Sequence, residues 1–575
     1  MPRYTRYVSA AVLALTLCGA SLAAEVKDPV FKAMQDELDR SVNRLVIEKM
    51  SRPYFLSYRI EDNERVEIGA RYGALVESQR SKDRYLYVDL RVGDAALDNS
   101  NFVGDWGDLY NMRHDLAEED DYQALRHQIW LSTDKAYKDA LENLARKKAF
   151  LQTHPAQESL GDFGKADHLE VMDKPYALTA DTAAWAASVR QAAAALRAYP
   201  ALQDWKVTYT ATAVTKRYLS SEGSRHMKGA VQQQIEVSAT AQAKDGQRLS
   251  SFRRFVTRDG ENPPQGEDLV KAVQKMSEEL TAAVAAPALD EYSGPVLFTD
   301  YASAQVISQL FAEQLTLARD VLTPEDWMSQ YFSLGKLAER MNRRVMPDFV
   351  TITDDPKTAE WKGHRLLGHQ VVDDESVPSR TLTLVKEGRL VSLPSTRQPT
   401  KKTPESNGHA RTLINQWTIP VVTNLFVKTD KPVAAPQMME KLRRLAKDSG
   451  NEYGLLITRL EDERISNEYS WMDDSQDKPK LMTQPLIAYK VYAKDGRMEP
   501  VRGLIFDDVT IRSLRDISAM GKDEQVYGML QPTMLPQVQY PVSIETPSIL
   551  IEEMEFKANT AHEPLPVSSN PLFEK

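Results

Sequence analysis

Cysteine is nearly missing from this sequence: Cys18 is the only one in 575 residues. It lies in an N-terminal apolar run, residues 8–20, which follows Arg3 and Arg6 and gives way to small residues up to Ala23 and Ala24. That pattern reads as a cleavable secretory signal over residues 1–24, and Leu17 before Cys18 fits a lipoprotein site poorly. The mature chain is then expected to hold no disulfide, no thiolate nucleophile and no thiolate metal ligand. Histidine is scarce as well, nine in all, and only His364 and His369 lie close together. No later segment approaches the ~20 apolar residues of a membrane helix, so no membrane span is expected. Positive charge is not in excess either. Lys and Arg number 72 against 82 Asp and Glu, a net charge of −10, which speaks against a nucleic-acid partner. There is no nucleophile elbow, no phosphate-cradling glycine loop and no His-Glu-x-x-His. The expectation is a periplasmic or secreted protein.

What is present is ordinary globular composition, 42% hydrophobic and 27% charged, in a chain long enough for two to four domains. Residues 25–52 have helical periodicity, with Phe31, Met34, Leu38 and Val42 on one face. Strand-like runs follow at 54–60, 66–76 and 84–92. A polar loop spans 93–111 and a charged helix 116–153; an irregular stretch covers 154–176. An Ala-rich helix at 180–199 precedes a three-stranded antiparallel meander at 205–220, 228–243 and 248–257, then a helix at 267–286. The second half is strand-rich, with runs at 349–353, 381–386, 389–392, 415–423, 454–459, 486–492, 502–507 and 548–555, and one helix at 433–449. The fold class is α+β, with an N-terminal domain of antiparallel sheet plus helices over 25–288 and a β-rich C-terminal domain over 289–557. Residues 558–575 are expected to be a surface or disordered tail.

The chain is organised around residues 292–320. A short apolar strand at 295–298 leads into a helix with Val306, Ile307, Leu310, Phe311 and Leu315 at helical spacing, for which Ser303 is a plausible N-cap. The polar members of that helix are Ser308, Gln309 and Glu313. Elsewhere, His364, His369 and Asp373 are the residue types of a metal site. Their five-residue spacing, however, puts the two histidines on opposite faces of a strand. Asp373, Asp374 and Glu375 form an acidic run whose simplest reading is a solvated turn before a hairpin. The polar turn 406–411, with Asn407, Gly408 and Arg411, could expose backbone amides to a peptide or an anion.

Four of these segments together resemble the TldD/PmbA family, the modulators of DNA gyrase, whose members are metallopeptidases or their paired subunits. Residues 292–315 sit at the family's metal-helix position. Asp373-Asp374-Glu375-Ser376-Val377-Pro378 resembles its Asp-Asp-Glu-Gly-Val-Pro, and residues 406–411 resemble a Ser-Thr-Gly-Asn-x-Arg stretch. Pro420-Val421-Val422-Thr423-Asn424 resembles Pro-Arg-Met-Thr-Asn, and residues 500–503 and 546–550 fit the closing strands. The match covers about 270 residues in order, and the N-terminal half is more similar to exported members. The family's active subunit carries His-Glu-x-x-x-His on that helix and a distant cysteine as third ligand. At the best register this chain has Ser308, Gln309 and Glu313 there, and no cysteine.

The resemblance implies an exported protein of TldD/PmbA type, the non-catalytic subunit of a zinc metallopeptidase complex that acts on extended peptides. No catalytic residue and no metal ligand are expected in this chain; zinc is expected in a partner. That partner would be a zinc-bearing TldD-like paralogue in a heterodimer, or a second copy of this chain. Asp373, Asp374, Glu375, Asn407, Gly408 and Arg411 are the candidates for peptide contact. Two alternatives stay open: a metallopeptidase with a non-standard site at His364, His369 and Asp373, and a stand-alone peptide-binding envelope protein.

Overall fold

The computed structural model describes residues 28–105, 113–154, 160–316, 319–325, 335–413, 417–462, 481–532, 539–568 and 570–573. The signal segment, and parts of the loop and irregular stretch expected at 93–111 and 154–176, lie outside the described residues.

The first half is built on very long antiparallel strands. Strand β1 (Pro53–Arg71) turns through Tyr72 and Gly73, both at positive φ, into β2 (Ala74–Val92). A two-residue loop with both φ values positive matches the right-handed twist of the strands it joins. The runs expected at 54–60, 66–76 and 84–92 are therefore two strands, because the charged middle of β1 (Glu61–Arg65) continues the ladder. β1 also pairs with β3 (Leu202–Ser220), which pairs with β4 (Arg225–Gln242), which pairs with β5 (Arg248–Arg258). This is the expected meander.

One face of the sheet is apolar and carries the four α-helices of the described N-terminal residues. Near one end, Leu56, Tyr58, Ile60 and Leu86 pack under α1 (Pro29–Arg44) and α2 (Tyr122–Thr153). Further along, Val66, Ile68, Trp205, Val207 and Ile235 pack under α3 (Thr182–Ala195) and α4 (Gly266–Ala285). Because side chains alternate along a strand, the opposite face carries Arg59, Glu61, Lys216 and Lys228. That polar face meets the second half of the chain.

Among the described residues the second half has two large sheets, one of six strands and one of eight, and two small two-stranded ones. Strand β6 (Glu291–Phe298) lies inside the larger, parallel to Tyr453–Leu460 and antiparallel to Ile549–Ala558. Helix α5 (Asp300–Ile307) follows and is buried from Ala302 to Ile307, with Ser303 and Gln305 among its buried residues. A second helix, α6 (Ala435–Asp448), covers the outer face of the larger sheet through Met438 and Leu442. Ser303 is not the N-cap of α5. The cap position is Thr299, and the Ser303 hydroxyl donates to the Asp300 carbonyl inside the first turn (2.8 Å).

Polar contacts tie the halves together. Arg254 pairs with Asp462 at 3.1 Å. Arg459 donates to the Phe252 carbonyl at 2.9 Å, and Arg258 donates to the carbonyls of Leu367 and His369 at 2.8 and 2.7 Å. Past Ala558 the chain runs back over the N-terminal sheet, where Glu563 N donates to the Gly246 carbonyl (2.9 Å) and Gln242 Nε2 to the Glu563 carbonyl (2.9 Å). Among the described residues no helix is long and apolar enough to cross a membrane.

Candidate functional site

The helix expected to run to Leu315 changes its winding. After Ile307 comes a π-turn, Ser308–Ala312, then a 3-10 turn, Glu313–Leu315. Hydrogen bonding from residue i to i+5 brings residues five apart above one another, where an α-helix would rotate them away. The result is visible in one shared partner. Ser308 Oγ donates to Gln531 Oε1 (3.0 Å), and Gln531 Nε2 donates to Glu313 Oε1 (2.8 Å).

The neighbouring amides are also committed. Gln309 Nε2 donates to Thr483 Oγ1 (3.1 Å) while its Oε1 accepts from Thr483 N (2.7 Å). Gln305 Oε1 accepts from Leu460 N (2.9 Å), and its Nε2 donates to the Glu461 carbonyl (3.0 Å). Ser308, Gln309, Gln305 and Gln531 are all essentially inaccessible to solvent. Full mutual satisfaction is what makes such burial tolerable.

A second polar centre lies where the residue 370–411 loops meet the polar face of the N-terminal sheet. Asp373 accepts from the amides of Glu375 (3.0 Å), Val377 (2.8 Å) and Ala410 (3.1 Å), so its side chain folds the loop. Asp374 pairs with Lys216 (3.2 Å) and Lys228 (3.0 Å) and accepts from Thr412 N (3.1 Å). Lys216 also reaches Glu61 (3.1 Å). Burial works to raise the Asp374 carboxyl, but Lys216, Lys228, Arg59 and Arg411 hold it well below the usual carboxylate range. Burial pushes the Lys228 ammonium down to about 8 against the pull of Asp374.

The polar turn is likewise built in. Asn407 Nδ2 donates to the Leu393 carbonyl (2.8 Å), its Oδ1 accepts from Ser395 N (2.9 Å), and its own N–H donates to Ser395 Oγ (3.0 Å). Gly408 has φ +78°, and a Cβ there would lie 2.4 Å from the Pro378 carbonyl oxygen, so only glycine fits. Next to the turn, buried His409 places Nε2 3.4 Å from Asp354 Oδ2. Asp354 in turn accepts from the N–H groups of Thr423 (3.0 Å) and Asn424 (2.9 Å). Tyr540 stands between the two centres. Burial pushes its phenol up, the Glu313 and Asp354 carboxylates add to this, and Arg411 opposes it.

Residues 291–558 match the family model described as the PmbA/TldA metallopeptidase C-terminal domain. The C-terminal half of the chain belongs to the TldD/PmbA family. Solved structures share the fold across nearly the whole length. TldE from Thermococcus kodakarensis aligns at 14% identity and a TM-score of 0.57, over 92% of this chain and 100% of that one. A protein from Thermotoga maritima described as a modulator of DNA gyrase aligns at 13% identity and 0.57, with the same coverage. Another so described, from Bacteroides thetaiotaomicron, gives 12% and 0.54 over 92% and 98%. Among curated proteins no sequence matches.

At the TldD/PmbA metal-helix position the residues present do not fit a zinc ion. A catalytic zinc takes three protein ligands of His, Cys, Asp or Glu type. Here Ser308 and Gln309 offer a hydroxyl and an amide, both engaged with Gln531 and Thr483, and Glu313 is the single carboxylate. Nor does the alternative set assemble. His364 is exposed on a short hairpin beside Glu261 (3.4 Å). His369 Nδ1 faces the Pro356 carbonyl (3.1 Å), and Asp373 is spent on backbone amides. Among the described residues no group of three or more His, Cys, Asp or Glu side chains converges as metal ligands would.

The peptide-contact candidates are brought together, but not as a solvated turn. Asp373 and Asp374 are buried, and the amides of residues 407, 408, 410 and 412 all donate within the protein. Arg411 is half-buried, and among the described residues its guanidinium donates only to the Ala410 carbonyl. Sequence reasoning missed Gln531, Thr483, Lys216 and Lys228, which become functional neighbours only through long-range strand pairing.

Glu375 gives the site a pH signature. Its carboxylate accepts from Arg397 N (2.6 Å), yet burial, reinforced by Asp373, pushes it up to about 8. A carboxyl raised from its ordinary ~4.3 contributes stability that is complete below that value and lost as pH rises through about 8. Glu375→Gln keeps an uncharged acceptor for Arg397 N and is expected to flatten the fall in denaturation midpoint between about pH 5 and 8. Parallel curves for variant and wild type would contradict this.

Proposed function

We propose that this chain is the non-catalytic subunit of an exported TldD/PmbA-type peptidase assembly, pairing with a zinc-bearing relative and helping to hold extended peptides. The observation that carries the reading is the saturated amide network at the metal-helix position. Ser308, Gln309 and Glu313 stand where the active subunit of the family carries its two histidines and glutamate; they are tied to Gln531 and Thr483, and Glu313 as the one carboxylate is too few ligands for a catalytic zinc. The helix keeps its place between the two sheets, so the shape of the domain is maintained while the metal chemistry is gone. An assembly divides the work: the partner supplies zinc, and this chain supplies wall and peptide contacts.

Export rests on the N-terminal Arg3, Arg6 and apolar run. Purification from the native host tests both parts together. The mature protein is expected to begin at Ala24 or Glu25 and to bring down a relative that carries His-Glu-x-x-x-His. Recovery of the chain alone with residues 1–24 retained would contradict the proposal.

A further inference from the structure

We infer that Arg411, with Lys216 and Lys228 behind it, forms a binding site for the C-terminal carboxylate of a peptide. The inference rests on the peptide-holding reading and gives it a direction. Four cations meet here, from β1, β3, β4 and the short strand of residues 410–412: Arg59, Lys216, Lys228 and Arg411. They share two carboxylates. Arg59 and Lys216 lie at 3.1 Å from Glu61, and Lys216 and Lys228 at 3.2 and 3.0 Å from Asp374. Arg411 has no carboxylate within ion-pair distance among the described residues, and its guanidinium donates to its own Ala410 carbonyl (3.2 Å). Asp373 cannot answer for it, since its oxygens accept three backbone amides. Unpaired cations beside a buried cluster favour an incoming anion.

A second observation points the same way. Arg59 is 4% exposed, and its Nε and one terminal nitrogen have no hydrogen-bond acceptor. Glu61 lies close to Nε but off the N–H axis. Guanidinium donors left in this state are rare in a folded core. Solvent reaches the site from one side: the side chains of Lys216 and Lys228 are 23% and 15% exposed, and Arg411 is half-buried. The opening adjoins the polar face of the sheet. Beyond Lys216 and Lys228 that face continues through Val214 and Ala230, then Thr212 and Gln232, then Thr210 and Gln234, all half-buried and uncharged. A peptide extended along this track would place its last residue against the cations. Planar, two-pronged recognition by Arg411 favours a carboxylate, and a terminal one needs no particular side chain.

Titration supports a test by pH. The groups facing the site are Asp373, Asp374, Glu375 and Arg411 from the loops, and Arg59, Glu61, Tyr87, Lys216, His226 and Lys228 from the sheet. Lys228 loses its charge near 8 and Glu375 gains one near 8, so both changes weaken anion binding above that pH.

The experiment measures binding of two probes to the full chain by calorimetry, each as free acid and as C-terminal amide: an N-acetylated tripeptide and an extended decapeptide. For the acids, affinity is expected to exceed that of the amides about ten-fold or more. Arg411→Gln should remove that difference and Arg411→Lys restore part of it, with binding declining above about pH 8. A decapeptide that binds equally as acid and amide would overturn the carboxylate site and leave the peptide-holding reading standing. If the tripeptide acid binds in an Arg411-dependent way and the decapeptide does not bind at all, the carboxylate site stands and the extended track falls. Binding of neither probe overturns both.

Discussion

Asp374→Ala should destabilise the chain by about 3–5 kcal/mol, the range seen when one partner of a buried ion pair is removed. The residue is 3% exposed and answers two ammonium groups, Lys216 and Lys228, and the Thr412 amide. Lys216 keeps Glu61 as a partner in the variant, but Lys228 retains only the Val372 carbonyl, at 2.8 Å. The loss falls on the contact between the two halves of the chain, because Lys216 and Lys228 belong to the N-terminal sheet and Asp374 to the C-terminal domain. Asp374→Asn, which can still accept from Thr412 N, should fall between wild type and alanine. Urea midpoints for the three proteins check this. A shift within about 0.5 kcal/mol, as for an exposed carboxylate, would contradict the buried pairing.

A second large effect is expected from Ser308→His, Gln309→Glu and Glu313→His made together, which writes the family's metal residues back onto the helix. Ser308 is fully buried, so an imidazole there overpacks the core at a cost of about 1–3 kcal/mol. Gln309→Glu leaves Thr483 Oγ1 facing a carboxylate, and Glu313→His takes the acceptor from Gln531 Nε2. Each buried group left unsatisfied costs about 1–3 kcal/mol. We expect the triple variant to lose about 3 kcal/mol or more in all, and to bind zinc weakly, because the chain has no cysteine beyond Cys18 to stand as the family's third ligand. Denaturation midpoints and zinc titration read the two effects separately. One tightly held zinc at unchanged stability would show that the pocket is still a metal site.

Much of the scaffold was legible because the sheet's apolar face repeats every second residue over long stretches. Val207, Tyr209, Ala211 and Ala213 alternate with threonines, and the meander they begin is the one observed. The continuity of β1 was not, since Glu61–Arg65 breaks the apolar alternation while the hydrogen-bond ladder runs on. The acidic run misled for a different reason. Two aspartates, a glutamate and a serine read locally as a solvated turn, and the lysines that bury Asp374 lie 158 residues away in the case of Lys216. Spacing carried a signal that helix periodicity concealed. Positions 308 and 313 are five apart, which an α-helix separates but the π-turn brings onto Gln531. A spacing of five says nothing at His364 and His369, where the backbone is a short hairpin and a turn.

The central claim is that the metal-helix position in the TldD/PmbA-family half of this chain is a closed hydrogen-bond network and not a zinc site. Elemental analysis of the purified wild-type chain, after incubation with zinc and removal of unbound metal, tests it most directly, with a peptidase assay in the presence and absence of chelator on the same sample. The account predicts zinc well below one equivalent and no chelator-sensitive cleavage. One zinc per chain with cleavage that chelator abolishes would contradict it.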